Sequence, residues 1–253
     1  MSDGSLALLR GSAEPSRKWV HCGEIVTLGL IGGLGVPAGI HYYESIARAS
    51  QDNGDVSVFL AHADLEKARN FVVAGDADGL ARYLSGILTS LSRAGATIGA
   101  IAAVTPHLCL EQLRSASPIP IVDLPSTLND ALAERGLHRV SLFGTSFVAE
   151  TDLFGYLDAE AVKPSPQEIQ EIDAIYTSLA RGVAGTQNDR ERISAIARRL
   201  LDREGAEAIV LAGTDFVALY DSQPPDFPAV DASRVHVDAI VKRMAQDLGS
   251  GTA

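Results

Sequence analysis

Two stretches of the chain place polar side chains at the point where a buried strand gives way to a helix. The apolar run 98–104 breaks at the Thr-Pro-His sequence of 105–107, and a short apolar helix follows. The apolar run 208–212 breaks in the same way at the Gly-Thr-Asp sequence of 213–215. Because parallel α/β sheets build their sites at the carboxyl ends of strands, we predict that the two breaks face each other across one site.

Each break carries a side chain that can transfer a proton. His107 titrates near neutral pH, and Asp215 supplies a carboxylate in the second break. We predict that both act as catalytic acid or base groups. The alternative for each is structural: His107 would order the start of its helix, and Asp215 would be favoured there by the helix dipole.

Hydroxyl groups at predicted strand ends form a second set of candidates. Hydroxyl donors beside free backbone N–H groups suit a carboxylate or a developing enolate oxygen, although hydroxyls in such places can also serve only as helix caps. The members of this set are Thr105, Thr145, Ser146 and Thr214. Gly33 and His62, which follow the first and second strands, are further candidates for substrate binding.

Strands alternate with helices along the chain, a pattern typical of βαβ units with parallel sheets. We therefore predict an α/β fold with two similar Rossmann-like lobes and a site in the cleft between them. Residues 1–22 are predicted to be a flexible leader. Residues 23–122 together with 222–253 are predicted to form lobe 1, and residues 123–221 lobe 2.

The spacing of apolar residues predicts which faces of two helices are buried. The helix after the first strand is predicted to bury Ile40, Tyr43, Ile46 and Ala47. The helix that Ser165 opens is predicted to bury Ile169, Ile172, Ile175, Tyr176 and Leu179.

Composition narrows the classes of partner. Of the 253 residues 46% are hydrophobic, and the net charge is −11. No apolar run approaches the roughly 20 residues that span a bilayer. The negative charge argues against nucleic acid or an anionic membrane as partner. Two cysteines, Cys22 and Cys109, make neither a disulfide framework nor a zinc site, so we predict a cytoplasmic protein without metal or organic cofactor.

A competing motif lies at the first turn. Gly33, Gly35 and Ala38 fit the G-x-G-x-x-A pattern of dinucleotide-binding folds, and Asp64 ends the second strand. Asp64 falls about 30 residues beyond the turn rather than about 20, which weakens this interpretation.

Six segments resemble the aspartate/glutamate racemase superfamily, in the order that the family has them. They are 31–35 with 41–43, 103–107, 118–122, 143–146, 211–215, and 230–231 with His236. The resemblance spans about residues 26–245. It implies two α/β lobes, a small carboxylate-containing substrate bound between them, and a homodimer.

The same resemblance implies a mechanism in which one cysteine from each lobe faces the α-carbon from opposite sides. This chain has Ala103 and Gly213 at those two positions, and neither side chain can move a proton. Cys109 lies two residues beyond His107 and is predicted to be a buried small hydrophobic side chain. Cys22 lies in the leader.

We therefore predict a cysteine-independent enzyme that acts at a carbon next to a carboxylate or carbonyl of a small acid. The reaction would pass through an enolate-like state, and it would be of the isomerase, lyase (decarboxylase) or cyclase type. A catalytically silent small-molecule-binding homologue is the first alternative. A nicotinamide-dependent enzyme is the second.

Overall fold

The computed structural model describes residues 26–53, 57–220 and 222–250. The predicted leader, with Cys22, lies outside the described residues. The first sheet has the parallel strand order β2-β1-β3, with β1 at Thr27–Gly32, β2 at Ser57–His62 and β3 at Ile98–Ile101. Ile31 pairs with Ile101 and Gly32 with His62, so the three strands end together at one edge.

Helices cover both faces of the first sheet. They are α1 (Val36–Asn53), α2 (Leu65–Val73), α3 (Ala77–Ala94) and α4 (Leu110–Ala116). In α3 the side chain of Asp76 accepts a hydrogen bond from the N–H of Gly79 and caps the first turn, and Gly95, at φ 112°, ends the helix. The stripe that this helix packs on the sheet is fully buried and consists of Leu80, Leu84 and Leu88.

The second sheet has the parallel order β5-β4-β6-β7. Its strands are β4 (Arg139–Phe143), β5 (Glu160–Ala161), β6 (Ala208–Leu211) and β7 (Ala229–Asp231). The second group of helices comprises α5 (Leu124–Glu134), α6 (Ser146–Glu150), α7 (Pro166–Ala180), α8 (Gln187–Arg203) and α9 (Val217–Tyr220). Two parallel α/β lobes are therefore present, as the sequence predicts.

The last helix, α10 (Ala232–Ser250), crosses back and packs against lobe 1. Its residues Val237, Ile240 and Met244 join the core around Tyr42 and Ile46 of α1. The predicted boundary at 222 is too early, because β7 still pairs with β6 in the second sheet. The return to lobe 1 starts at α10.

His236 fixes this return helix at a buried point. Its Nδ1 lies 2.9 Å from the hydroxyl of Tyr42, and its Nε2 lies 2.8 Å from the carbonyl oxygen of Val122. The carbonyl can only accept, so Nε2 carries the proton and the Tyr42 hydroxyl donates to Nδ1. Burial lowers the pKa of His236 to about 3, so the ring is neutral.

Three local features stand out against the sequence patterns. Helix α2 lies at 65–73, a segment for which no helix was predicted above, and in the segment 118–122 only Ile121 forms a bridge, to Gly99. In α1 the predicted face is wrong in part: Ile46 is buried as predicted, but Ile40 is 56% exposed and Tyr43 48%, and Tyr42 is buried instead. The helix turns toward His236 because Tyr42 bonds there.

The exposed apolar residues of α1 lie on one face, since Val36, Ile40 and Tyr43 follow one another at helical spacing. The homodimer expected from the resemblance stays a prediction.

Among the described residues no helix is long and apolar enough to cross a bilayer.

Asp123 anchors the crossing from lobe 1 into lobe 2. Its side chain caps α5 by accepting from the N–H of Ser126 at 2.9 Å, and its other oxygen accepts from Arg114 at 2.7 Å. Burial alone would raise the pKa of Asp123, but these hydrogen bonds hold it below its ordinary value.

We expect Asp123→Ala to lower the free energy of unfolding by about 2–3 kcal/mol, because it removes a helix cap and a charge-assisted bond together. Asp76→Ala, which removes a cap without an arginine partner, should cost about 1 kcal/mol. Urea unfolding at neutral pH measures both. Because the pKa of Asp123 is depressed in the folded state, its contribution is present above about pH 4 and is lost as the pH falls below it. A cost equal to that of Asp76→Ala, or one that persists at low pH, would contradict this role.

Candidate active site

A cavity of about 400 Å³ lies between the two lobes, at the carboxyl ends of the strands. Its wall is built from both lobes. Lobe 1 supplies the segment after β1, the first residues after β3, and the whole length of α2, while lobe 2 supplies the segment after β4 and one face of α7. The predicted location of the site, in the cleft where strands end, matches this cavity.

Hydroxyl groups from the two lobes meet in the cavity wall. Thr105 Oγ1 and Thr145 Oγ1 are 3.4 Å apart, and Ser146 lines the cavity beside them. Thr145 Oγ1 also accepts from the N–H of Val148 at 3.3 Å, so part of its bonding capacity is used in capping α6. All three hydroxyl-bearing residues are half-buried. They can donate to an anionic oxygen that enters the cleft.

The rest of the wall is mainly apolar. The contributing side chains come from the first turn, α2, α3, the segment after β4, and α7, and they include Leu34, Leu65, Ala68, Val72, Leu80, Phe147 and Ala180. Four charged residues also line it, two basic and two acidic: Arg69, Arg181, Glu66 and Asp173. Glu66 lies 3.5 Å from Arg69 and 3.9 Å from Arg181, so a loose ion pair joins the lobes across the cleft.

The two positions where the resemblance expects thiols have different surroundings. Ala103 lines the cavity directly. Gly213 is covered instead by the ring of Tyr176, because a Cβ on Gly213 would lie 2.3 Å from Cε2 of that ring. No side chain fits at 213 unless the ring moves.

Asp215 is fully buried behind this ring. Its Oδ1 accepts from the backbone N–H of Ala38 at 2.9 Å, and its Oδ2 accepts from the hydroxyl of Tyr176 at 3.1 Å. Burial raises the pKa of Asp215, although both hydrogen bonds act in the opposite direction. Gly35 makes room for the carboxylate, since a Cβ there would lie 1.9 Å from Oδ2. Asp215 does not line the cavity; Tyr176 stands between.

His107 is also fully buried and does not line the cavity. Its Nε2 lies 3.3 Å from the N–H of Leu124, which can only donate, and its Nδ1 lies 3.1 Å from the carbonyl oxygen of Val104. The proton is therefore on Nδ1. Burial lowers the pKa of His107 and favours this neutral form. The structure places His107 as a brace between the segment after β3 and the start of α5.

Thr214, Gly33 and His62 also lie outside the cavity wall. Thr214 is 1% exposed, and its hydroxyl donates to the carbonyl oxygen of Ala102 at 3.4 Å, which ties lobe 2 to lobe 1. Gly33 has φ 84°, and a Cβ there would lie 2.5 Å from the carbonyl oxygen of Ala63, so the turn itself requires glycine. His62 is exposed at the end of β2, beside Gly33.

Cys109 is the free cysteine of the described residues, and it is buried. Its Sγ donates to the carbonyl oxygen of Pro106 at 3.2 Å. Burial raises the pKa of the Cys109 thiol to about 12, so no thiolate is available there near neutral pH. The prediction that Cys109 is a buried small hydrophobic side chain agrees with this environment.

Two contacts near the first turn argue against dinucleotide binding there. In dinucleotide-binding folds the pyrophosphate occupies the N-terminus of the first helix. Here the carboxylate of Asp215 takes that place, bonded to Ala38 in the first turn of α1. Asp64 is occupied as the cap of α2, where it accepts from the N–H of Lys67 at 3.0 Å. Within the residues that the structure describes, no cluster of three or more His, Cys, Asp or Glu side chains is arranged to hold a metal ion.

Two elements of the wall were missed by sequence reasoning. The first is α2, whose N-terminal signal was the capping residue Asp64 itself, interpreted above as a site residue. The second is Tyr176, which the apolar spacing assigns to the core. That assignment is correct for burial, since Tyr176 is 7% exposed, but it overlooks that α7 borders the cleft.

Comparison with known proteins agrees with this architecture. Among solved structures, a putative Asp/Glu racemase from Yersinia pestis matches with a TM-score of 0.72 at 21% identity, over 87% of this chain and 99% of that one. An aspartate racemase homologue from Pyrococcus horikoshii matches with a TM-score of 0.70 at 22% identity, over 88% of this chain and all of that one (100%). An aspartate racemase from Picrophilus torridus matches with a TM-score of 0.69 at 17% identity, over 87% and 94%.

These structural likenesses show a shared fold. The sequence itself carries the family relationship, because the model of the family described as Asp/Glu/hydantoin racemase matches residues 31–240, most of the chain. The chain belongs to the Asp/Glu/hydantoin racemase family.

Proposed function

We propose that this protein is a cysteine-independent enzyme that acts at a carbon beside a carboxylate of a small acid, through an enolate-like state. The observation that carries the proposal is the cavity wall, in which hydroxyls of both lobes meet at Thr105 and Thr145. Neither Ala103 in that wall nor Gly213 behind the ring of Tyr176 supplies a thiol. A site that had lost its chemistry would still bind a ligand but would not turn it over, and the experiment below separates the two.

The hydroxyl groups are proposed to hold the carboxylate. Thr105, Thr145 and Ser146 can donate to its oxygens, and the same donors stabilise the extra negative charge when the enolate forms. Thr214, which bonds to Ala102, is proposed to fix the two lobes at the spacing that this needs. His107 is proposed to hold the segment that carries Thr105, through Val104 on one side and Leu124 on the other.

The apolar wall favours a substrate with an apolar body. The lining charges cancel, since Arg69 and Arg181 are matched by Glu66 and Asp173. A second carboxylate or an ammonium group would therefore find little net attraction, whereas an aryl or alkyl group would bury its surface against the leucine, valine and phenylalanine side chains. We propose a carboxylic acid with an aryl or alkyl substituent, from which loss of a proton or of carbon dioxide leaves an enolate.

The first test is turnover of two kinds of small acid. The protein in deuterated water would be given phenylsuccinate and phenylalanine, with aspartate and glutamate beside them, and α-proton exchange would be followed by NMR. Phenylmalonate would be followed by release of carbon dioxide. We expect exchange or decarboxylation with at least one aryl acid, at least about 10-fold faster than exchange with aspartate or glutamate, because burial of a phenyl group favours its binding. If an aryl acid raises the melting temperature but is not turned over, the proposal of an enzyme is contradicted. The protein would then be a catalytically silent binding protein.

The second test removes the hydroxyls one at a time. We expect Thr105→Val and Thr145→Val each to weaken binding of the reactive aryl acid by about 10- to 100-fold, since each removes one hydrogen bond to a charged group, worth about 1.5–3 kcal/mol. Isothermal titration with that acid measures the effect. Thr89→Val, which removes a hydroxyl bonded within α3 at 2.8 Å from the carbonyl oxygen of Ser85, serves as the matched control and should bind as wild type does. Unchanged binding by both cavity variants would exclude the hydroxyls as the carboxylate site.

A further inference from the structure

Tyr176 and Asp215 form a buried pair at the wall of the cavity, and its composition is unusual. The phenol donates to Asp215 Oδ2 at 3.1 Å, and Asp215 receives one further bond, from the N–H of Ala38 at 2.9 Å. No ion pair to Asp215 occurs among the described residues. A carboxyl group buried without a cation normally lowers the stability of the folded protein, so the burial of Asp215 points to a role other than stability.

Two glycines make room for the pair. A Cβ at Gly213 would lie 2.3 Å from the ring of Tyr176, and a Cβ at Gly35 would lie 1.9 Å from Asp215 Oδ2. One glycine belongs to lobe 1 and the other to lobe 2, so both sides of the cleft are shaped around the same two side chains. Of these two, Tyr176 is the member that lines the cavity.

The other acidic groups of the wall are less suited to proton transfer. Glu66 has a side chain that is 61% exposed and is paired with two arginines. Asp173 accepts a hydrogen bond from Thr177 at 3.1 Å and is half-buried. Tyr176, in contrast, is only 7% exposed and hydrogen-bonded, and an acid held in this way needs less reorganisation of solvent when it gives a proton to a carbanion.

We propose that Tyr176 is the catalytic acid of the reaction: it delivers a proton to the substrate carbon from the lobe 2 side, with Asp215 as the positioning residue behind it. This inference rests on the proposed function. In the step, the enolate carbon takes the proton of the Tyr176 hydroxyl, so that a C–H bond forms as the O–H bond breaks. The phenolate that remains recovers a proton from water when the product leaves.

Asp215 serves the phenol in this scheme. Burial, together with the nearby Asp215, raises the pKa of Tyr176, and burial also raises the pKa of Asp215. The phenol therefore stays protonated near neutral pH and has a proton to give. Asp215 Oδ2 holds the phenol oxygen in place through the hydrogen bond, and the hydroxyl proton leaves that bond when the enolate carbon takes it.

The test compares Tyr176→Phe with wild type on the aryl acid that reacts. We expect kcat to fall by about 10²- to 10⁴-fold, the range for loss of a general acid, with KM changed less than about 3-fold. Tyr220→Phe is the matched control, because it removes a buried hydroxyl away from the cavity and should leave kcat unchanged. Asp215→Asn, whose amide oxygen can still accept from the N–H of Ala38, should lower kcat by less than Tyr176→Phe and leave KM close to wild type, a split that a purely structural role would not give.

Each outcome bears on a different claim. If Tyr176→Phe keeps its kcat, or if Asp173→Asn abolishes turnover while Tyr176→Phe does not, the assignment of Tyr176 is overturned and the proposed function stands. If wild type itself turns over none of the aryl acids, the proposed function fails and the catalytic role of Tyr176 with it.

A second variant checks the packing on which the assignment depends, without any substrate. We expect Gly213→Ala to lower the melting temperature by about 3–10 °C, because its methyl group must displace the ring of Tyr176. Gly86→Ala is the control, since a Cβ there meets nothing within 4 Å on α3 and alanine is the better helix former. A Gly213→Ala protein as stable as wild type would overturn the contact between the ring and Gly213.

Discussion

The whole cleft depends on one buried carboxylate. Asp215 comes from lobe 2, yet it accepts a hydrogen bond from Ala38 in the first turn of α1 in lobe 1, so it holds the two lobes at a fixed spacing. A carboxylate there is favoured by the positive end of the α1 dipole as well as by the N–H itself. The same contact requires Gly35 opposite it and leaves the second oxygen for Tyr176.

The hydroxyls of the cavity can meet because the lobes are held in this way. Thr105 and Thr145 approach to 3.4 Å, and Thr214 bonds across to Ala102, but neither contact alone carries a charge or much burial energy. Two neutral histidines also stabilise the contact between the lobes, on the side away from the cavity. His236 ties α10 to Val122, and His107 ties the segment after β3 to α5, with the two rings 6.2 Å apart. Buried neutral histidines suit this task, since each offers one donor and one acceptor at a fixed separation.

The sequence predicts the fold well, because its signals are local. Apolar runs followed by Thr-Pro-His and Gly-Thr-Asp place the strand ends and hence the cleft. What the sequence does not predict is which of the side chains at strand ends reach the cleft and which are buried away from it. His107 and Asp215 follow strands directly, yet each turns away from the cleft to bond a distant backbone group, at Leu124 and at Ala38. Tyr176 shows the converse: helical spacing marks it as buried, and only the packing of α7 against Gly213 brings it to the cavity wall.

The two positions at which the resemblance expects thiols, 103 and 213, therefore differ in their surroundings. At Ala103 a small side chain, only 4% exposed, borders the cavity. At Gly213 the space is filled, because the ring of Tyr176 stands where any side chain would begin. A glycine there is needed to seat a phenol whose oxygen bonds to a carboxyl group, and that carboxyl group in turn needs Gly35. Four positions on both lobes fit one another, and together they put an ionisable phenol beside position 213, whereas position 103 offers only the methyl group of alanine.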